Sequence, residues 1–224
     1  HVSFTGSCTT FSVGDVIIHL KPIGRFYLEN ALAAMATVKL LGVSQVELQH
    51  AVESLESVPG RLERMDEGQP FSVIVDYAYE PAALTAVCET LKLIHHKRLI
   101  HLLGSAGGGR DVARRMILGR MAAEHADFVI VTNEDPYDDD PMEIINDIAD
   151  AARAAGKHEG VNLFRILDRR EAIQFAIDLA EPDDLVLITG KGSEPVMAVA
   201  GGKKIPWDDR VAVRKALHHR YAST

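Results

Sequence analysis

The stretch "LLGSAGGGRDVARRMILG", residues 102–119, joins an apolar run to a basic helical pattern through four glycines at positions 104–109. A strand that feeds a helix through a short turn is the repeating unit of an α/β sheet. A backbone without side chains can bring its N–H groups close to an anion, and a helix N-terminus adds partial positive charge. The spacing matches neither G-x-x-x-x-G-K-[ST] nor G-x-G-x-x-G. An anion-binding turn and a flexible strand-to-helix turn are therefore both open.

The same alternation surrounds this stretch on both sides. Because apolar runs alternate with helical periodicity, we predict an α/β fold with a mostly parallel sheet and helices on both faces. The predicted strands lie in "FSVIVDYA", "KRLIHLLGSA", "DFVIVTNED", "NLFRILD" and "DLVLITGKG", and the predicted helices cover roughly 81–96, 111–126, 141–155 and 169–181.

The first part of the chain has a different pattern. Residues 1–23 suggest irregular β structure, and "LENALAAMATVKLLG" predicts a helix that ends at Gly42. Ser44 and Glu47 have the spacing of a capping box. The segment "SVPGR" interrupts the helical pattern, so we place a domain boundary near Ser57–Arg61.

Composition limits the class of protein. The chain has 224 residues, of which 47% are hydrophobic and 25% charged, and its net charge is −8. Nucleic-acid-binding domains are basic as a whole, and no apolar run here is long enough to span a membrane. Two cysteines are too few for a disulfide framework. We expect a cytoplasmic globular protein that binds neither nucleic acid nor membrane.

Polar residues follow each predicted strand. In open parallel sheets, ligands bind outside the carboxyl ends of the strands. We therefore predict the site on that rim, at Asp76-Tyr77, Gly104-Ser105, Asn133-Glu134-Asp135, Asp168-Arg169 and Gly190–Glu194.

Several rim residues suggest particular chemistry. Asp76 suits a ribose hydroxyl, a basic group or a helix cap, and these interpretations stay open. Arg110 is expected to point into the rim while Asp111 caps the next helix. Glu134 and Asp135 would attract an ammonium group.

Two further segments complete the predicted rim. Lys191 and Glu194, in "GKGSEP", each need a counter-charge or a ligand when buried. Residues 138–140 are expected to form a solvated helix N-terminus. The paired histidines have no metal-ligand spacing and no G-x-S-x-G motif occurs, so we predict neither a metal site nor a nucleophile.

The order of the motifs resembles the Mur ligase family. The series "GRFYLEN", "VPGRLE", "VDYAYEP", "LGSAGGGRD", "TNEDPYDDDP", "DRREAI", "GKGSE" and "WDDR" is similar to the branch that adds the third amino acid of the peptidoglycan stem. This resemblance implies that residues 59–224 form the family's Rossmann-like C-terminal domain. Residues 1–58 would be the tail of a central ATP-binding domain, without its P-loop.

The resemblance also implies roles for individual residues. Asn30 would contact adenine, and Arg61 and Asp76 would hold the ribose and phosphates of ATP. Arg110 would face substrate and phosphates on domain closure. The residues expected to contact the incoming amino acid are Glu134, Asp135, Gly190, Lys191 and Glu194.

The reaction implied is amide formation through an acyl phosphate on UDP-N-acetylmuramoyl-L-alanyl-D-glutamate. The partners would be that substrate, an amino acid, ATP with Mg²⁺, and the missing N-terminal and central domains of the same ligase. The magnesium ligands are expected in the missing central region. We therefore expect this chain to be inactive alone.

The chain departs from the family pattern at the acceptor site. Family members that add diaminopimelate have "DNPR", whose arginine pairs with the distal carboxylate, whereas this chain has Glu134-Asp135-Pro136-Tyr137. Two acids without that arginine favour lysine over diaminopimelate, and ornithine stays open. Ser193, Tyr79 and Tyr27 also differ from the family motifs.

Two different functions also stay open. One is a non-catalytic module that binds a nucleotide or amino acid. The second is a folylpolyglutamate-type or cyanophycin-type ligase, which shares the C-terminal fold.

Overall fold

A computed structural model describes residues 1–221 of the chain. The chain divides into two compact units. The first contains His1–Val58 and Thr85–His95, and the second contains Pro59–Leu84 and His96–Thr224. Within residues 1–221, every helix is too short or too polar to cross a membrane.

The first unit combines a small antiparallel sheet with two complete helices and residues 85–91 of a third. Strand β2 lies between β1 and β3, and Phe11 and Ile18 from this sheet are buried. The predicted capping box is confirmed, because the Ser44 side chain accepts from the Glu47 amide and the Glu47 carboxylate accepts from the Ser44 amide. The elements are β1 (Val2–Phe4), β2 (Thr9–Val13), β3 (Val16–Leu20), α1 (Arg25–Leu40) and α2 (Gln45–Glu53).

The second unit is built on a six-stranded sheet with the order β4-β5-β9-β6-β7-β8. The five predicted strands are parallel, which confirms the α/β class, and β4 adds an antiparallel edge that was not predicted. The bounds are β4 (Glu63–Met65), β5 (Ser72–Val75), β6 (Leu99–Leu103), β7 (Phe128–Thr132), β8 (Leu163–Ile166) and β9 (Leu185–Ile188).

Helices follow four of these strands as the alternation predicted. One boundary differs: the helix predicted to reach residue 96 ends at Leu91. The amides of Leu93 and Ile94 bond to carbonyls three residues back, so tighter turns replace the last helical turn. The remaining elements are α3 (Pro81–Leu91), α4 (Ala113–His125), α5 (Pro141–Ala154), α6 (Arg169–Leu179), β10 (Val196–Val199), β11 (Lys203–Pro206) and α7 (Asp209–Tyr221).

The core of the second unit explains why its strands read as continuous apolar runs. Every residue of β6 and β9 is buried, because helices cover central parallel strands on both faces. Ile173 and Ile177 of α6 and Leu217 of α7 pack into the same core. With both faces apolar, polar groups gather at the strand ends.

Candidate functional site

A cavity of about 100 Å³ lies at the carboxyl edge of the large sheet. We call it the rim pocket. The ends of β5, β6, β7 and β9 all contribute to it, as expected for parallel strands whose carboxyl ends share one edge. Its lining residues are Tyr77, Tyr79, Ala106, Arg110, Arg114, Glu134, Asp135, Tyr137, Gly190 and Glu194.

Lys191 supplies the buried charge beside the pocket. Its side chain is 1% exposed, and its Nζ lies 2.8 Å from Asp135 Oδ2 and 2.5 Å from Glu194 Oε2. The chain turns sharply here because Gly190 and Gly192 have φ values of 109° and 53°. The counter-charges that burial requires are therefore the two acids predicted for the rim.

Tyr77 extends this network toward Arg61. The Tyr77 hydroxyl donates to Glu194 Oε1 at 2.7 Å, and the Arg61 guanidinium lies 4.1 Å from the centre of the Tyr77 ring. Burial would raise the pKa of Glu194, but hydrogen bonds from Lys191 and Tyr77 outweigh it, so the pKa is lowered. Glu194 is therefore held as a carboxylate.

Glu134 is the acid without a partner for one of its oxygens. It is 4% exposed, and its Oε2 has no hydrogen-bond partner among the described residues. Burial raises its pKa to about 7, with Asp135 and Asp209 acting in the same direction and Arg169 and Lys191 against it. The group can thus change its protonation near neutral pH, either donating or accepting toward the pocket.

Two guanidinium groups line the same pocket. Interaction with the Tyr137 side chain raises the pKa of the Arg110 guanidinium. Arg114 pairs with Glu80 at 2.5 Å and lies 5.4 Å from the Tyr79 ring. A cavity with both carboxylates and guanidiniums suits a small ligand that carries both signs of charge.

Close packing explains the bare glycine stretch. The Gly107 amide donates to the Asp135 carbonyl at 2.8 Å, and the Gly108 amide donates to Asp139 Oδ2 at 3.0 Å. A Cβ atom at Gly107 would lie 2.3 Å from the Pro136 carbonyl oxygen. These glycines let the loops after β6 and β7 touch, a role that neither sequence interpretation predicted.

The acidic trio at residues 138–140 is exposed at the start of α5, as predicted for a solvated helix N-terminus. Asp140 caps α5 by accepting from the Met142 amide at 2.8 Å, as expected. Asp138, however, accepts from the Gly201 amide at 2.7 Å, and Asp139 accepts from Gly108. Two of the three exposed carboxylates therefore also hold neighbouring loops, which was not predicted.

Asp76 lies beside the pocket without lining it. It is 5% exposed, and its oxygens accept from the Leu62 and Ala78 amides, both at 2.7 Å. Burial raises its pKa, with these hydrogen bonds opposing the rise. The carboxylate thereby fixes the turn that carries Arg61.

Not every predicted site residue lines the rim pocket, and some residues that line the pocket were not predicted. Asn30 is exposed on α1 in the first unit. Tyr77 was predicted as part of the rim and lines the pocket, whereas Tyr79, Arg114 and Tyr137 line it without having been predicted as site residues; their positions near polar strand ends were the available signal. Within residues 1–221, no group of three or more His, Cys, Asp or Glu side chains could hold a metal ion.

The chain is similar in sequence to known proteins. Residues 60–192, more than half of the chain, match the family described as Mur ligase, glutamate ligase domain. The chain is 39% identical over 218 residues to the UDP-N-acetylmuramoyl-L-alanyl-D-glutamate--2,6-diaminopimelate ligase of Syntrophomonas wolfei, covering 96% of this chain and 44% of the relative. It is 40% identical over 204 residues to the UDP-N-acetylmuramyl-tripeptide synthetase of a Roseiflexus species, covering 91% and 40%.

A solved structure has a similar fold. The structure of a UDP-N-acetylmuramoyl-L-alanyl-D-glutamate--2,6-diaminopimelate ligase superimposes with a TM-score of 0.67 at 29% identity, covering 99% of this chain and 45% of that one. The chain spans about two fifths of the length of the curated relatives it matches. Its matching motifs build the rim pocket, and the chain belongs to the Mur ligase family.

Proposed function

We propose that this chain is the C-terminal part of an ATP-dependent ligase that joins an amino acid to UDP-N-acetylmuramoyl-L-alanyl-D-glutamate in cytoplasmic peptidoglycan synthesis. The observation that carries the proposal is the rim pocket. All of its lining residues except Glu194 lie within the matched residues 60–192, and it combines carboxylates with guanidiniums, which suits a zwitterionic amino acid. The names of the relatives support the same class of reaction.

The proposed division of labour follows the two parts of the chain. Residues 59–224 would form the acceptor domain, and residues 1–58 would be the tail of the central ATP-binding domain. Asn30 would contact adenine and Arg61 would take a phosphate or ribose oxygen. Asp76 acts at least by holding the turn that carries Arg61, since backbone amides already occupy both of its oxygens.

The chemistry would proceed in two balanced steps. The γ-phosphoryl group of ATP moves to the stem carboxylate and ADP leaves. The amino group of the acceptor then forms the amide, phosphate departs, and the amine loses a proton. Mg²⁺ would neutralise phosphate charge, with ligands on polypeptide outside this chain. The rim pocket contributes orientation of the acceptor rather than a nucleophile.

For the acceptor, we propose lysine in preference to diaminopimelate. Tyr137 occupies the position at which the family pattern has an arginine, and a tyrosine cannot form a bidentate pair with a distal carboxylate. Glu134, Asp135 and Glu194 instead surround the pocket with acids. These acids favour a side chain that ends in an ammonium group.

Diaminopimelate is the second candidate, and a specific observation favours it. Arg110 reaches the Tyr137 side chain, and Arg114 lines the same pocket, so guanidinium groups are present despite the substitution. The name of the Syntrophomonas relative also specifies diaminopimelate. With this acceptor, Arg110 would bind the distal carboxylate.

Phosphate release by the intact protein tests both points. We expect release only when ATP, the muramoyl dipeptide and an amino acid are all present, with a higher kcat/KM for lysine than for diaminopimelate. The 224-residue chain alone should show no turnover. Turnover by that chain would contradict the proposed division of labour, and a preference for diaminopimelate would contradict the lysine assignment.

The same assay distinguishes the ligase from a binding module and from a ligase with another acceptor. A binding module would release no phosphate with any acceptor, and a folylpolyglutamate-type or cyanophycin-type ligase would use a different acceptor. Within the proposed function, Asp135→Asn should reduce lysine use more than Arg110→Lys changes the choice of amino acid. An equal effect of the two substitutions would remove the support for lysine.

A further inference from the structure

Arg169 forms a buried junction beneath the rim pocket. It is the first residue of α6, and its side chain is fully buried with that of Asp209, the first residue of α7. Arg169 Nε donates to Asp209 Oδ1 and Nη2 donates to Oδ2, both at 2.8 Å. Trp207 Nε1 also donates to Asp209 Oδ1 at 2.8 Å, which fixes the carboxylate.

The same guanidinium reaches two strand ends. Nη2 donates to the Thr189 carbonyl at 2.8 Å, and Nη1 donates to the Asn133 carbonyl at 3.3 Å. Thr189 directly precedes Gly190 and Lys191, and Asn133 directly precedes Glu134 and Asp135. One side chain thus holds the starting points of both loops that carry the acids and the lysine of the pocket.

These two loops have little room to move against each other. A Cβ atom at Gly190 would lie 2.1 Å from Glu134 Oε2, so the Gly190 backbone and the Glu134 carboxyl already touch. Lys191 ties the same loops through Asp135. A small change in their separation would alter the pocket directly, because interiors packed this closely transmit displacement.

We propose that Arg169 is a positioning residue that holds the loops after β7 and β9 at a fixed separation and thereby sets the width of the rim pocket. The part of this inference that concerns catalysis rests on the proposed function: in the intact ligase, Arg169 would set the KM for the amino acid and leave the KM for ATP unchanged. The planar, forked guanidinium of arginine is needed for this role, since the side chain must donate to a carboxylate and to two carbonyls at once.

The positive charge of Arg169 also acts on the pKa of Glu134. The charged groups that act on Glu134 are Arg169 and Lys191, which lower its pKa, and Asp135 and Asp209, which raise it. Arg169→Lys keeps the positive charge but loses the fork, whereas Arg169→Met loses both. The lysine variant therefore isolates the positioning role.

A matched control lies at the opposite edge of the sheet. Arg98 precedes β6 and forms a forked pair with Asp184, which precedes β9, with Nε–Oδ distances of 3.1 and 3.0 Å. Asp184 is 1% exposed, so Arg98→Lys also disturbs a forked pair with a buried carboxylate. That pair lies at the amino ends of the strands, away from the rim pocket.

The test compares Arg169→Lys with Arg98→Lys in the intact protein, using initial rates in lysine, diaminopimelate and ATP. We expect Arg169→Lys to raise the amino-acid KM about tenfold or more, with the KM for ATP within about twofold of wild type. Arg98→Lys should change neither KM. Equal KM changes in the two variants, or a parallel rise in the KM for ATP, would overturn the proposal.

A second measurement does not depend on ligase activity. Backbone amide chemical shifts of the 224-residue chain should change at residues 133–135 and 189–194 in Arg169→Lys and stay unchanged there in Arg98→Lys. Asp209→Asn keeps the donors to both carbonyls and should perturb these loops less than Arg169→Lys. Unchanged chemical shifts in folded Arg169→Lys would overturn the positioning role of Arg169. Absence of ligase activity in the intact wild-type protein would overturn only the proposed function.

Discussion

Glu134 lies in an environment that strongly disfavours its charged form. Its pKa is raised from 4.5 to about 7, so it binds a proton in the folded state over a pH range in which the unfolded chain has lost it. The contribution of such an acid to the free energy of unfolding is fully present below pH 4.5, and it is lost as the pH rises through 7. A shift of this size corresponds to a free-energy change on the order of 3 kcal/mol.

Glu134→Gln should therefore flatten this pH dependence. We expect the loss of unfolding free energy between pH 5 and pH 8 to be smaller in the variant by on the order of 2–3 kcal/mol, because glutamine does not titrate. Urea unfolding at several pH values measures it. Glu124→Gln, at an exposed position on α4, is the control and should keep the wild-type pH dependence. An unchanged slope in Glu134→Gln would contradict the assignment.

At this scale the sequence predicted residue types better than contacts. Arg110, Asp135, Gly190 and Glu194 line one pocket because strand ends of a parallel sheet must share an edge. The pairing of Lys191 with both acids could not be predicted, since it depends on a turn whose φ values the sequence does not specify. The nucleotide roles of Asn30, Arg61 and Asp76 stay predictions.

Among the elements, the turn after β9 has a constrained backbone. Gly190 has a φ of 109°, and a side chain there would collide with Glu134. We expect Gly190→Ala to lower the unfolding free energy by at least about 2 kcal/mol more than Gly201→Ala. Gly201 has a φ of 72° and open space around it, so its substitution reports backbone strain alone.

Urea unfolding of the two glycine variants makes that comparison. An equal loss of unfolding free energy in both variants would mean that backbone strain alone constrains Gly190 and that the contact with Glu134 adds no further destabilisation. A larger loss in Gly190→Ala would support the close approach of the loops after β7 and β9.

The start of α6 offers a second prediction for an element. Asp168 accepts from the Arg170 and Glu171 amides at 2.7 and 3.2 Å. Asp168→Ala should lower the unfolding free energy by about 1 kcal/mol, as loss of an N-cap does. Asp178→Ala, near the exposed C-terminal end of α6, should not lower the unfolding free energy appreciably. An acid at that end interacts unfavourably with the helix dipole, so its removal loses no favourable dipole interaction. Thermal and urea unfolding measure both, and equal losses would refute the capping role.

Local periodicity predicted the existence and type of most elements in the second unit. It did not predict the antiparallel edge strand β4 or the insertion of β9 between β5 and β6. Both depend on pairing between strands that lie far apart in sequence, which hydrophobic periodicity does not encode. The early end of α3 was missed for a local reason, the tight turns at Leu93 and Ile94.

For the whole molecule, motif order was more informative than composition. A net charge of −8 narrows the class of partner but says nothing about an acceptor. The ordered motifs identify the family, and residues 60–192 match it directly. Motif order identifies the family but not the acceptor, because the pocket contains both guanidinium groups, at Arg110 and Arg114, and carboxylates, at Glu134 and Asp135.

If the rim pocket binds the amino-acid acceptor, Glu194→Gln should weaken binding of that acceptor. In the intact protein we predict a rise of at least about tenfold in the KM for the acceptor, since Glu194 loses its charge while its partners Lys191 and Tyr77 remain. The KM for ATP should stay within about twofold of wild type. An unchanged acceptor KM in the folded variant would contradict the account.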